Sequence, residues 1–252
     1  MEEEKPVRIQ KVIADRGLAS RREAERWISE GRVRINGTPA VIGQTCFPSR
    51  DQIQVDDSPL PRREPPKMVL AMNKPKGFLC TNDDPHVSRT VFDLLTPEFA
   101  AYRLFCVGRL DKESEGLILL TNDGKLKQKL THPSYNVAKK YSVELDKPLQ
   151  EKDLPKLIRG IQWEGERLSL DRVLPLKGRG KETGKLLEVT LHHGRKREIR
   201  RLFYAFGYDV RKLRREQIGR FQLKGLPRGT FRTLSTSEIR QLFQAPAAAR
   251  SS

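Results

Sequence analysis

Hydrophobic residues at helical spacing open the chain. Ile9, Val12 and Ile13 fall on one face of a short helix. Ser20 is followed three residues later by Glu23, which is the capping-box pattern at the start of a second helix. Two consecutive helices are therefore expected at the N-terminal end.

Short strands follow these helices. Val33 and Ile35 alternate with polar residues, and Asn36-Gly37 is a typical hairpin turn. Val41-Ile42 and residues 53–55 predict two further strands. Residues 7–55 are therefore interpreted as a helix-helix-hairpin domain.

A change of composition marks the next boundary. Residues 56–67, DDSPLPRREPPK, contain four prolines and few apolar residues, so we interpret them as a semi-rigid linker. The remaining pattern places a second domain at residues 68–245.

Helices and strands are interspersed in this second domain. Predicted strands lie at residues 68–72, 104–107, 117–120, 139–145, 186–191 and 210–213, and predicted helices at 125–130, 151–158, 195–206 and 235–243. Because regular βαβ spacing is missing from the pattern, it indicates an α+β fold with a mainly antiparallel or mixed sheet flanked by helices.

One stretch combines a polar loop with a buried strand. It reads GRLDKESEGLILLTNDG from Gly108 to Gly124, and Asp111 lies in its loop between Arg109 and Lys112. Asp favours turns because its carboxylate caps backbone N–H groups, and spacing alone favours that structural interpretation. A reactive carboxylate is the alternative.

The net charge of the chain indicates which class of partner it binds. The formal net charge is +17, which is typical of a soluble protein that binds a polyanion, with nucleic acid the first expectation. No apolar run is long enough to span a bilayer, and the polar start MEEEKP is unlike a signal peptide. Three scattered cysteines fit a reducing cytoplasm.

Metal chemistry has little support. The four histidines lack metal-ligand spacing, so a zinc site is not expected, and the sequence has no P-loop or Rossmann glycine fingerprint. The acidic pair Asp83-Asp84 leaves a metal-dependent nuclease as a weaker alternative.

Positive charge concentrates in the first domain. Nine basic residues and four acidic ones lie between Lys5 and Arg34. They could form an ordinary solvated surface, but an excess of one sign favours contact with phosphates. The candidates for this contact are Arg8, Lys11, Arg21, Arg22 and Arg26.

Motifs in the two predicted domains resemble two known protein families. RIQKVIADRGLASRREAERWISEGRVRING closely resembles the S4 domain, which implies RNA binding by residues 7–55. The chain also resembles the RsuA/RluB group of pseudouridine synthases over nearly its whole length. This resemblance rests on GRLDKESEGLILLTNDG, described above, and on KKYSV, GRKREIRRLF and LRREQIG. These bacterial enzymes isomerise uridine to pseudouridine in ribosomal RNA without a cofactor.

The second resemblance implies roles for individual residues. Asp111 matches the catalytic aspartate, which acts as nucleophile or base on a flipped-out uridine. Tyr141 matches the tyrosine that stacks on the base, and Arg200 the arginine that pairs with the aspartate. Leu213 matches the apolar residue against the flipped nucleotide. RNA contacts are expected from Arg109, Arg195 and Arg197.

This group modifies both 16S and 23S rRNA. The REIRRLF and LRREQIG motifs are closer to its large-subunit members, which favours 23S rRNA as the partner of a monomeric cytoplasmic enzyme. Related groups often have His-Gln where this chain has Arg197-Glu198, so the local RNA contacts are open. A non-catalytic S4-domain factor in ribosome assembly is the alternative function.

Overall fold

The computed structural model describes residues 4–81, 89–99, 102–176 and 184–246. The chain divides into two compact units. The first contains residues 1–68, 96–104 and 122–124, and the second contains residues 69–95, 105–121 and 125–252. No helix among the described residues has the length and apolar character needed to cross a membrane.

Short elements build the first unit around a small apolar core. In chain order they are β1 (Val7–Arg8), α1 (Ile9–Asp15), α2 (Arg21–Ser29), β2 (Val33–Ile35), β3 (Thr38–Pro39), β4 (Thr45–Cys46), β5 (Ile53–Val55) and β6 (Ser58–Pro59). Strands β3, β2, β5 and β6 form one sheet in that order, and β1 pairs with β4.

The predicted signals at the ends of these elements are confirmed. The Ser20 side chain accepts a hydrogen bond from the backbone N–H of Glu23, and the capping box is complete. Asn36 and Gly37 take positive φ values of 50° and 80°, as the turn from β2 to β3 requires.

The strand predicted at Val41-Ile42 is wrong. Both side chains are exposed, and Val41 and Gln44 close a tight turn through hydrogen bonds to each other. Because this turn uses the backbone groups locally, Val41 and Ile42 join no sheet.

The second unit contains a large sheet and several helices. Its strands are β7 (Val69–Lys74), β8 (Phe105–Val107), β9 (Glu115–Thr121), β10 (Lys139–Leu145), β11 (Ile161–Trp163), β12 (Glu166–Leu168), β13 (Arg172–Pro175), β14 (Leu186–Leu191), β15 (Val210–Ile218), β16 (Phe221–Gln222) and β17 (Phe231–Thr233). The α-helices that follow α2 in the chain are α3 (Gly124–Thr131), α4 (Leu154–Arg159), α5 (Glu198–Ala205) and α6 (Thr236–Gln241). Short 3-10 helices of the chain lie at Val91–Leu94, Pro97–Phe99, Pro133–Tyr135 and Glu151–Asp153.

The main sheet is mixed, so the α+β expectation is confirmed. Its central order is β13-β14-β10-β15-β9-β7-β17, with β16 beside β15 and β8 beside β9. All pairings in this sheet are antiparallel except that of β15 with β9. Strands β7 and β9 are buried almost throughout, which explains their continuous apolar sequences.

A glycine permits the parallel junction. Gly116 of β9 lies opposite Arg215 of β15 and has a φ of 99°. A Cβ atom at this position would lie 2.3 Å from the carbonyl oxygen of Arg215. The two strands can approach this closely only because residue 116 has no side chain.

Two elements differ from the sequence prediction in ways that matter for the site. Strand β15 extends to Ile218 instead of ending at residue 213, and α5 begins at Glu198 instead of residue 195. Arg197 adopts a left-handed conformation with a φ of 51°, so helical geometry cannot start before it. The hairpin of β11 and β12 was not predicted.

We expect Gly116→Ala to destabilise the second unit by at least about 2 kcal/mol, because the new methyl group adds a steric clash to an unfavourable φ. Thermal unfolding followed by circular dichroism measures the change. Gly124→Ala is the matched control, since nothing lies within 4 Å of its added Cβ. Equal melting temperatures for the two variants would contradict the close-approach argument.

Candidate active site

Asp111 lies in the loop between β8 and β9, at the edge of a cavity of about 270 Å³. Its side chain is 33% exposed, so a ligand can reach the carboxylate. Strand β9, which follows the loop, is buried in the middle of the sheet and gives the loop a rigid support.

Side chains from distant parts of the second unit line the same cavity. They include predicted site residues and several others: Arg109, Leu110, Asp111, Ser114, Thr131, Lys139, Tyr141, Leu191, Arg195, Lys196, Arg197, Glu198, Ile199, Leu213 and Arg215. The fold thus brings Asp111, Tyr141 and Leu213 together with three of the predicted RNA-contacting arginines.

A fully buried lysine holds the Asp111 loop. The Nζ atom of Lys74 lies 2.7 Å from the carbonyl oxygen of Ser114, 3.2 Å from that of Asp111 and 3.4 Å from that of Lys112. It also donates to the carbonyl of Pro75 at 3.1 Å. Burial lowers the pKa of Lys74, but these carbonyl dipoles replace much of the lost hydration of the ammonium.

The expected pairing of Arg200 with Asp111 is not what the structure shows. Among the described residues, the ion-pair partner of Asp111 is Arg197, with 3.7 Å between Nη1 and Oδ2. Arg200 instead donates to the backbone carbonyls of Val210 at 2.7 Å and Glu113 at 3.3 Å. These two contacts fix its guanidinium between α5, β15 and the Asp111 loop.

The charge of Asp111 still affects the pKa of Arg200. Burial and the nearby charge of Arg197 lower the pKa of Arg200, while the carboxylates of Asp111 and Glu113 oppose that effect. Arg200 therefore braces the loop that carries Asp111, and its catalytic role remains a prediction.

Glu198 organises the loop that presents Arg197. Its buried carboxylate accepts hydrogen bonds from the backbone N–H of Arg195 at 3.0 Å and from its guanidinium at 3.2 Å. The Nδ1 atom of His193 lies 2.7 Å from the same carboxylate. These contacts tighten residues 193–198 and leave Arg197 in its left-handed conformation, pointing toward Asp111.

Two neighbouring strands form the wall opposite the loop. Tyr141 of β10 pairs in register with Arg215 of β15, and Val143 pairs with Leu213. A bulge shifts this register between Lys140 and Tyr141. Since alternate residues of a strand share a face, Tyr141, Leu213 and Arg215 all face the cavity.

Lys74, Lys139, Ser114 and Arg215 were not identified from the sequence. For Arg215 a signal existed, because it lies two residues after Leu213 in a strand and therefore on the same face. The same spacing relates Lys139 to Tyr141. Lys74 had no comparable signal, since a lysine at the end of an apolar strand is ordinarily a solvated edge residue.

The basic residues that we predict to contact RNA in the first unit differ in their partners. Arg8 donates to the carbonyl of Gly43, Lys11 pairs with Asp15, and Arg26 pairs with Glu30 at 3.6 Å. Arg21 and Arg22 are exposed on α2.

Metal ligation finds no support in the described residues, where no three His, Cys, Asp or Glu side chains come together. The acidic pair Asp83-Asp84 and His86 lie outside the described residues.

Models of two known protein families match this chain. The family model described as RNA pseudouridylate synthase matches residues 68–205, and the S4 domain model matches residues 7–43.

Individual relatives cover almost the whole chain. An uncharacterized RNA pseudouridine synthase of Aquifex aeolicus is 38% identical over 95% of this chain and 94% of its own. Ribosomal large subunit pseudouridine synthase B of Bacillus subtilis is 36% identical over 93% of this chain and 95% of its own. A crystal structure of a pseudouridylate synthase superposes with a TM-score of 0.66 at 30% identity, covering 94% of this chain and 99% of that one.

We expect Lys74→Met to loosen the Asp111 loop and to destabilise the protein by about 3 kcal/mol, because several buried carbonyls lose their donor. Urea unfolding measures the stability. Hydrogen exchange reports the loop, since the amides of Ser114 and Gly77 bond to the carbonyls of Asp111 and Lys112.

Lys76→Met is the matched control, because Lys76 belongs to the same turn but is exposed. If both variants exchange these two amides at the wild-type rate, Lys74 does not hold the loop.

Proposed function

The chain belongs to the RNA pseudouridylate synthase family, and we propose that it isomerises uridine to pseudouridine in 23S ribosomal RNA, with Asp111 as the catalytic carboxylate. The supporting observation is the position of Asp111. It lies on a loop braced by Lys74 and Arg200, at the edge of a cavity that Tyr141 and Leu213 also line.

The cavity suits a nucleoside that has left its stack. Tyr141 and Leu213 provide flat and apolar surface for a pyrimidine ring. Asp111 then faces the ribose side, where it can attack a carbon atom or remove a proton. Extracting the uridine costs a few kcal/mol, which contacts between the exposed arginines and RNA phosphates offset.

Proton and bond changes in this reaction balance within the nucleoside. The C1′–N1 bond breaks, the base turns, and C1′ rejoins the base at C5. The proton released from C5 is matched by one gained at N1, so neither water nor a redox partner is consumed. One carboxylate that can form a temporary bond or hold a proton is sufficient for this sequence.

The arginines at the cavity mouth suit phosphate contacts. Arg109, Arg195 and Arg197 line the cavity beside Asp111, and Arg109 is exposed. We propose that they position the RNA backbone around the flipped nucleotide. Arg200 acts on Asp111 through the Glu113 carbonyl and through its charge.

Residues 7–55 are proposed to add affinity for folded RNA, and residues 56–67 to link them to the catalytic domain at 68–245. The exposed arginines of α2 support this division, because phosphate contacts depend on net positive charge more than on RNA sequence. Arg8, Lys11 and Arg26 would extend the same surface.

The choice of 23S rRNA follows from relatives. The Bacillus subtilis relative, 36% identical, is named for the large ribosomal subunit. A monomeric state and a cytoplasmic location stay predictions. Mapping pseudouridines in the rRNA of a deletion strain identifies the target, and a lost site in 16S rRNA alone would overturn the assignment to 23S.

Complete loss of pseudouridine formation is expected for Asp111→Asn, because the amide can neither attack nor accept the proton. Binding of rRNA should change by less than about threefold, since one exposed carboxylate is removed. Tritium release from C5-labelled rRNA measures turnover, and filter binding measures affinity.

Glu113→Gln is the control, because it removes a neighbouring exposed charge of the same loop. Undiminished product from purified Asp111→Asn refutes the assigned role. If wild-type protein binds rRNA and forms no pseudouridine, the non-catalytic assembly function is the better explanation.

Removing both exposed charges in Arg21→Gln/Arg22→Gln should weaken rRNA binding and reduce the salt slope of log K by up to about 2, because two phosphate contacts are lost. The single-turnover rate at saturating enzyme should be unchanged. Lys129→Gln/Arg240→Gln removes equal charge elsewhere and is the control. An equal loss of affinity in both proteins would show a nonspecific charge effect.

A further inference from the structure

Arg215 is a buried cation that pairs with no carboxylate among the described residues. Its side chain is 3% exposed, and Nε donates to the carbonyl oxygen of Leu117 at 2.6 Å. Its Nη2 atom is buried without a hydrogen-bond partner. The Leu117 carbonyl compensates for only part of the hydration that this buried guanidinium loses.

The cavity beside the Asp111 loop is the open space that Arg215 borders. Arg215 lines it directly opposite the Tyr141 backbone in the sheet, and Leu213 lies two residues away on the same face. The close approach of β9 at Gly116 fixes the Arg215 backbone from the other side. The guanidinium is therefore held in place before any ligand arrives.

Lys139 adds a second positive charge to the wall. Its Nζ atom donates to the carbonyls of Val137 at 3.0 Å and His192 at 3.2 Å, and it also lines the cavity. Burial and then the charge of Arg215 lower the pKa of Lys139 to about 8. Both cations line the same cavity, so an anion there would reduce their mutual repulsion.

The substrate group at this depth is the base. In the proposed function, phosphates meet the exposed arginines at the cavity mouth and the ring lies against Tyr141 and Leu213. Uracil is neutral while N1 is bonded to ribose. When the C1′–N1 bond breaks, the electron pair stays on the base and spreads over N1, O2, O4 and C5. Negative charge therefore appears deep in the cavity only during the reaction.

We propose that the Arg215 guanidinium donates a hydrogen bond to a carbonyl oxygen of the target uracil and, with the charge of Lys139, stabilises the base anion after C1′–N1 cleavage. This role rests on the proposed function. It is independent of whether Asp111 holds C1′ or a ribose proton, because the base carries the same electron pair in both cases. The Arg215 guanidinium interacts more strongly with the uracil anion than with neutral uracil. It therefore lowers the barrier to C1′–N1 cleavage more than it strengthens RNA binding.

The test compares single-turnover rates with RNA affinity on a short rRNA fragment that carries the mapped uridine. Arg215→Lys keeps the charge and loses the planar donor pair, and Arg215→Met loses both. We expect rate losses of roughly 10²-fold and 10³-fold, with the Kd for RNA within about threefold of wild type. Arg214→Met is the matched control, because Arg214 is adjacent, lies on the opposite face and pairs with Glu216 at 3.6 Å.

A substrate change tests the contact without altering the protein. RNA with 4-thiouridine or 2-thiouridine at the target replaces one carbonyl oxygen by sulfur, a poorer hydrogen-bond acceptor. Sulfur also makes the base a better leaving group, so chemistry alone predicts faster cleavage. We expect one of the two substitutions to slow wild-type enzyme at least tenfold and to slow Arg215→Lys much less.

Each outcome is decisive. Wild-type rates in Arg215→Lys, or a loss confined to Kd, overturn the inference while pseudouridine formation by wild type still supports the proposed function. If Arg215→Met unfolds or loses activity but neither thio substitution slows wild type, Arg215 acts only by holding Leu117. If wild-type protein forms no pseudouridine, the proposed function fails, and this inference fails with it.

Discussion

The Asp111 loop depends on a buried ammonium group that does not contact the carboxylate. Lys74 reaches four carbonyl oxygens, three of them in the segment from Asp111 to Ser114. An ammonium has three protons and needs partners when it is buried. The backbone of the loop meets this need, so the loop is folded around Lys74 and the Asp111 side chain remains available to a ligand. A catalytic carboxylate requires this arrangement, because its position must be fixed by groups other than those it reacts with.

The sequence predicted the local elements well and the long-range geometry poorly. Strands 139–145 and 186–191, the Ser20 capping box and the Asn36-Gly37 turn follow from periodicity and turn chemistry, which act over a few residues. The Asp111 loop was found by its motif. The Lys74 contacts and the pairing of Arg215 with Gly116 join residues about 40 and 100 positions apart, and no periodic pattern encodes such pairs.

The cationic side chains of the second unit fall into an exposed group and a buried group, and the two groups interact differently with a ligand. Exposed arginines such as Arg109 act in water, where each phosphate contact is modest, depends on salt and is insensitive to the reaction. Arg215 lies in the wall of the sheet, where a charge interacts strongly with whatever occupies the cavity. Binding and chemistry can therefore vary independently, because the first depends on the surface charge and the second on a few buried groups.

The two arginines beside Asp111 differ in the same way. Arg200 is held by hydrogen bonds to the carbonyls of Val210 and Glu113, so moving its side chain would break both contacts. Arg197 meets Asp111 at 3.7 Å, and their side chains are 46% and 33% exposed. Such a pair contributes at most about 1 kcal/mol. In the proposed function, incoming RNA exchanges the Arg197 contact for a phosphate and leaves Asp111 free, while Arg200 keeps the loop in place. Because Glu198 holds the left-handed turn at Arg197 through the backbone, this exchange requires only side-chain rotation.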